Sequence, residues 1–203
     1  VTARWVVDEV ASQRDLSITW QPISLLFKNE PAEDTPYHES TMLTHKMLRV
    51  MEAVRASGAE NKVFDLYWEF GSRIHHDGDR TFDLAEALET AGVAREYSAA
   101  ADEEKWDAII RAKMDDGLSL VGDDVGTPII AWDRGNGDRV TLFGPVITRA
   151  PRNEDALKLC EGKVALANAL REVGMMDDAV EAVRDAWHNN SMDRALERQV
   201  LAR

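Results

Sequence analysis

Three observations predict an α/β fold. Apolar and polar residues alternate over Leu16-Ser-Ile-Thr-Trp20, as on a half-buried strand. Two more apolar runs, Ile129-Ile-Ala-Trp132 and Val140-Thr-Leu-Phe143, flank Arg134-Gly-Asn-Gly-Asp138, whose glycines and Asn136 suit a hairpin loop. Between the first strand and the hairpin, from about Pro36 to Gly122, the apolar period changes to 3.6.

Taken in order, Val1 to Arg14 is helical in pattern, with Ala3, Trp5, Val6 and Val10 on one face and Arg4, Asp8 and Arg14 opposite. No Ser, Thr, Asp or Asn stands before Val1 to cap it, which reads as the middle of an element. Pro22 limits how far the first strand can pair. Helices are predicted over Ser40 to Ser57, Asn61 to His75, Phe82 to Ala91 and Ala101 to Leu118. Leu43, Met47, Val50, Met51 and Val54 form a stripe that stops at Gly58. Trp106, Ile109, Ile110 and Met114 form another that stops at Gly117. After the hairpin, a helix runs from about Asn153 to Val173. Met176, Val180, Val183 and Trp187 continue at helical spacing, and Ser191 begins a last short helix. One strand and one hairpin make a marginal sheet unless a further strand joins them. A strand preceding Val1, linked by a right-handed crossover through the first helix, would lie parallel to Leu16–Trp20 and bridge it to the hairpin.

Composition narrows the function classes. The 203 residues are 44% hydrophobic and 30% charged, enough for one compact core or one core with an insertion. With 24 Lys plus Arg against 37 Asp plus Glu, the formal charge is −13. A phosphate-tracking surface would work against that field, so nucleic acid is not an expected partner. No apolar run of about 18 residues offers a membrane span, and the opening lacks the basic start of a signal peptide. The single cysteine, Cys160, forms no internal disulfide or cysteine metal cluster, which fits a reducing, cytoplasmic setting. It shares a face with Leu157 and Val164 and reads as a buried structural thiol.

Several separated segments resemble one family. RIHHDGD (Arg73 to Asp79), VGDDVGTPII (Val121 to Ile130), LFGPVITRAPRNEDALKL (from Leu142), TARWVVDEV (from Thr2) and the Asn29-Glu30 pair are similar, in the same order, to DsbA-like oxidoreductases of actinobacteria, in particular their mycothiol-dependent reductase branch. The resemblance runs from Val1 to about Leu166. It implies a thioredoxin-like α/β fold with a large helical insertion, the N-terminal strand and its Cys-Pro-Trp-Cys motif standing just before Val1. It divides the chain into a discontinuous thioredoxin-like domain (1–35 and 120–168), a helical insertion (36–119) and a C-terminal helical extension (169–203). The extension departs from the family pattern and could pack on the domain or on a second subunit, as a homodimer.

The activity so implied is thiol-disulfide oxidoreduction: a low-pKa cysteine of the upstream pair attacks, and a low-molecular-weight thiol, mycothiol or glutathione, serves as co-substrate with no tightly bound cofactor. The partner is a small molecule or a thiol or disulfide substrate. Neither cysteine of the pair is in this sequence, and the uncapped first helix and divided sheet agree with a chain that continues upstream. Two alternatives keep the fold: an enzyme like glutathione-transferase-kappa or hydroxychromene-carboxylate isomerase, with a serine or lone thiol, and a non-catalytic thioredoxin-fold binding module.

The implied binding residues are Gly126, Thr127 and Pro128, where a cis-proline turn presents main-chain groups to substrate, with Gly144 and Pro145 of the following loop and Arg73 and His75 of the insertion. From the tripeptide alone, Pro128 reads first as a trans proline opening an edge strand, and it is the resemblance that turns the reading to cis. His75-His76 with Asp77-Gly-Asp79 invites a metal reading. Adjacent histidines diverge, and a calcium loop over this segment would place Leu88 where the bidentate glutamate belongs. A helix C-terminus stopped by Gly78 accounts for the pair better.

Overall fold

The computed structural model describes residues 2–14, 16–122, 125–133, 139–144 and 150–172. The described residues group into two units: those of Val1–Ser17 with Leu118–Arg203, and those of Ile18–Gly117.

The Ile18–Gly117 unit is helical. Ser24 begins α2 (Leu25–Asn29), accepting the Phe27 amide on its side chain. The long α3 (Pro36–Ala56) starts a turn earlier than the apolar stripe suggests, because Thr35 caps it and Pro36 fits a first helical position that needs no amide hydrogen. It ends where Gly58, at φ 88°, takes the left-handed conformation, donating to Arg55 O while Ala59 N–H reaches back to Val54 O. A 3-10 turn (Glu60–Lys62) leads into α4 (Val63–His75), and Asp83 caps α5 (Leu84–Thr90). Two 3-10 segments, Arg95–Asp102 and Glu104–Trp106, precede α6 (Asp107–Ser119). The stripe of α3 closes on α4, α5 and the first of these segments: Met47, Val50, Val54, Leu66, Phe70, Leu88 and Ala100 are all buried. On α6 the stripe is narrower than expected. Ile110 and Met114 are buried while Ile109 is exposed, and the helix passes through Gly117 instead of stopping there.

In the other unit, α1 (Thr2–Trp5) runs into a π-helical turn (Val6–Val10), and Trp5 and Val10 pack with Ala156 of α7 (Asn153–Glu172). The Glu9 carboxylate accepts the Asn153 amide at 3.0 Å, and Arg14 pairs with Glu161. Strands β1 (Ile129–Asp133) and β2 (Arg139–Phe143) pair antiparallel, with Ile129 opposite Phe143 and Asp133 opposite Arg139. Helix α7 packs against β2.

This architecture overturns the expected thioredoxin-like α/β fold with a helical insertion. Helices dominate the described residues, and the sheet among them is the two-stranded β1–β2 hairpin alone. Leu16–Trp20 has no strand structure and joins no ladder. The alternation there is satisfied by other partners. Leu16 is exposed, the Trp20 ring stacks on Phe64 of α4 at 5.1 Å, and the Trp20 carbonyl accepts from Arg55 of α3 at 2.6 Å. Period-2 spacing over five residues shows which side chains alternate, not that a neighbouring edge exists to pair with. The hairpin loop 134–138, Pro145 and the tail from residue 173, including the helix expected at Ser191, lie outside the described residues.

Candidate functional site

The turn Gly126-Thr127-Pro128 stands at the head of β1. The Thr127–Pro128 bond is cis. Gly144, leaving β2 with φ 87°, donates its amide to Pro128 O at 2.8 Å, so the two ends of the hairpin ladder are tied at the turn. A Cβ on Gly126 would stand 3.5 Å from the Phe143 ring, which therefore lies directly against this stretch of main chain. Thr127 is exposed, whereas Gly126 and Pro128 are half-buried. Four of the residues singled out from sequence, Gly126, Thr127, Pro128 and Gly144, thus come together. Pro145 is not among the described residues.

Arg73 and His75 belong to the other unit, on the last turn of α4. Arg73 is engaged within that unit: its Nε donates to Glu69 at 2.7 Å, Nη2 lies 3.4 Å from Thr90 Oγ1, and the guanidinium stands 5.2 Å from the Phe82 ring centre. His75 is exposed at the helix end, and His76 lies near the Trp68 ring. No cluster of three or more His, Cys, Asp or Glu able to hold a metal occurs among the described residues.

A second polar constellation escaped the sequence reading. Along α3, Thr41, His45, Arg49 and Glu52 are all buried, at spacings of four, four and three residues. That is a polar stripe at helical period, a signal present in the sequence but concealed by the stronger apolar stripe beside it. His45, 1% exposed, lies 2.9 Å through Nδ1 from Ser24 Oγ and 3.0 Å through Nε2 from Asp107 Oδ1. Arg49 holds the same carboxylate with two bonds, Nε to Oδ1 at 2.6 Å and Nη2 to Oδ2 at 2.7 Å, and donates to Ala101 O at 3.2 Å. Burial opposes ionisation of Asp107. The hydrogen bonds from Arg49 and His45 outweigh it and keep the carboxyl below its usual range. Burial lowers the pKa of His45, against the pull of Asp107, and the charges of Arg49 and Arg111 lower it further.

The order serine, histidine, aspartate is that of an activated nucleophile, but the surroundings exclude the chemistry. Ser24 is 0% exposed, and its oxygen is already the cap of α2. No substrate atom can reach it in this conformation. A neighbouring network has the same structural character: Glu52, 2% exposed, accepts from Lys113 at 2.6 Å and from Arg55 at 3.3 Å, and Arg55 also pairs with Glu60.

The thiol-disulfide oxidoreductase reading fails on the cysteine count. These 203 residues contain one cysteine, Cys160, and so hold no catalytic pair on which disulfide exchange could run. Cys160 itself is poorly suited to attack. Burial raises its pKa, the Glu161 carboxylate adds to the rise, and Arg14 offsets only part of it. No helix of the described residues is long and apolar enough to cross a membrane. Comparison with known families gives a match over residues 1–190 to the Rv2466c-like model, described as mycothiol-dependent nitroreductase Rv2466c. With nearly the whole chain matched, this protein belongs to the Rv2466c-like family.

Proposed function

We propose that this chain is a binding module for a low-molecular-weight thiol or its conjugates, engaged at the Gly126-Thr127-Pro128 turn, without cysteine-pair catalysis. The observation that carries this reading is the exposed residue Thr127 at the head of β1, beside the Gly144 amide bonded to Pro128 O. An extended thiol-bearing ligand can hydrogen-bond to such an edge with no reacting group from the protein. The name of the family supports a thiol partner, and the net charge of −13 favours an uncharged sugar thiol such as mycothiol over anionic glutathione.

Isothermal titration of the chain with mycothiol and with glutathione tests the reading. Mycothiol should bind saturably with a dissociation constant of roughly micromolar to millimolar, and glutathione more weakly. Thr127→Glu, which places a carboxylate and extra bulk at the exposed position, should weaken mycothiol by at least about tenfold, or ~1.4 kcal/mol, while Thr127→Ala, which keeps the main chain, should bind as the parent does. Equal binding by the Glu variant would move the site elsewhere.

A further inference from the structure

We infer that Ser24, His45 and Asp107 form a pH-sensitive latch that docks α2 against α3 and α6 when His45 is neutral and releases it when His45 takes up a proton. Which ring nitrogen carries hydrogen follows from the partners. Asp107 is ionised and can only accept, so Nε2 donates to it. Nδ1 is then an acceptor, and the hydrogen between it and Ser24 belongs to the serine hydroxyl. The same Ser24 oxygen accepts the Phe27 amide at 3.2 Å, and the Ser24 carbonyl accepts the Lys28 amide at 2.9 Å. One hydroxyl therefore caps α2 with its lone pair and ties α2 to α3 with its proton.

A second proton on the imidazole breaks this arrangement. Nδ1 becomes a donor, and the Ser24 hydroxyl hydrogen must turn into surroundings in which the residue is 0% exposed. The new charge also arrives among cations. Arg49 of α3 already occupies both oxygens of Asp107. Arg111 of α6 stands 4.1 Å over the Phe27 ring, whose centre is 4.4 Å from the imidazole. Among the described residues, Asp107 is the carboxylate bonded to the ring, and Glu104 and Asp102 act on Arg49. The docked state thus resists protonation, while an undocked His45 in water titrates near its ordinary value of about 6.5. Docking is at full strength above that pH and weakens as the pH falls toward the lower pKa of the docked form, because only the undocked form has gained the proton. Loss of the Asp107 charge belongs to a separate and more acidic range.

Hydrogen exchange of the Phe27 and Lys28 amides, corrected for intrinsic rates, reads the latch in the full chain. Protection should hold constant above about pH 6.5 and fall below it by up to about tenfold per pH unit, while amides of the α3 core such as Val54 keep theirs. His45→Gln should abolish that fall. Ser24→Ala should lower Phe27 protection already at pH 7. Should His45→Gln not fold, the nitrogen-15 shifts of the wild-type imidazole decide: Nε2–H at neutral pH, with protonation tracking the loss of Phe27 protection. Flat protection from pH 7 to 5, an unchanged fall in His45→Gln, or an imidazole that titrates without any change at Phe27 overturns the latch.

Discussion

Asp107→Ala removes the carboxylate on which the buried polar stripe of α3 converges. The Arg49 side chain is 9% exposed and Asp107 26% exposed, so the pair is mostly, though not wholly, out of water. Without Asp107, the guanidinium keeps the Ala101 carbonyl alone, and His45 Nε2–H loses its acceptor. Breaking a buried ion pair from one side costs about 3–5 kcal/mol, and the partial exposure of Asp107 favours the lower end for the pair itself. An unsatisfied buried donor adds about 1–3 kcal/mol, not fully additive with the first loss. The expected total is about 3–5 kcal/mol, a large share of the roughly 5–15 kcal/mol that stabilises a typical domain. Urea titration followed by circular dichroism at 222 nm measures it. Adding Arg49→Met to Asp107→Ala removes the stranded cation and should recover at least about 1 kcal/mol. A loss below about 1 kcal/mol for Asp107→Ala, or a double variant no more stable than the single, would refute the claim that this network is buried and mutually satisfied.

Other consequences follow from single positions. Leu66→Ala, at a side chain 0% exposed in the helical core, should cost about 2–5 kcal/mol in the same titration. Thr35→Ala removes the hydroxyl that accepts the His38 amide and should cost about 1 kcal/mol, as lost N-caps do. Cys160 should alkylate with iodoacetamide more slowly at pH 7 than a free model thiol, since burial and Glu161 disfavour its thiolate; a faster reaction would contradict the half-buried placement.

Local signals in the sequence carried the helices well. Gly58 closes α3 and the Met47, Val50, Val54 stripe faces the core as its spacing requires, whereas the Thr35-Pro36 start, a turn before the expected Ser40, went unread. The hairpin was legible because its two apolar runs flank a glycine-rich turn. The Leu16–Trp20 strand was not, because alternation is local while pairing is a long-range matter; Trp20 found Phe64 and Arg55 instead of a sheet edge. Helix α2 went unread because five residues are too few to show a period, and its start depends on a serine whose partner, His45, lies 21 residues away. The cis turn at Thr127 came from the resemblance, since Gly-Thr-Pro alone reads first as a trans proline opening an edge strand. The Ser24–His45–Asp107–Arg49 cluster was not legible, since Asp107 joins the α3 pair only once the start of α6 packs there, and Ser24 only once α2 does.

The central claim, thiol binding at the Thr127 turn without cysteine-pair chemistry, is tested most directly by an amide-resolved NMR titration of the chain with mycothiol. Saturable shifts should centre on Gly126, Thr127, Ile129 and Gly144, and a Cys160→Ser variant should show the same shifts. Shifts centred elsewhere, no saturation, or thiol-disulfide turnover by the Cys160→Ser variant would contradict it.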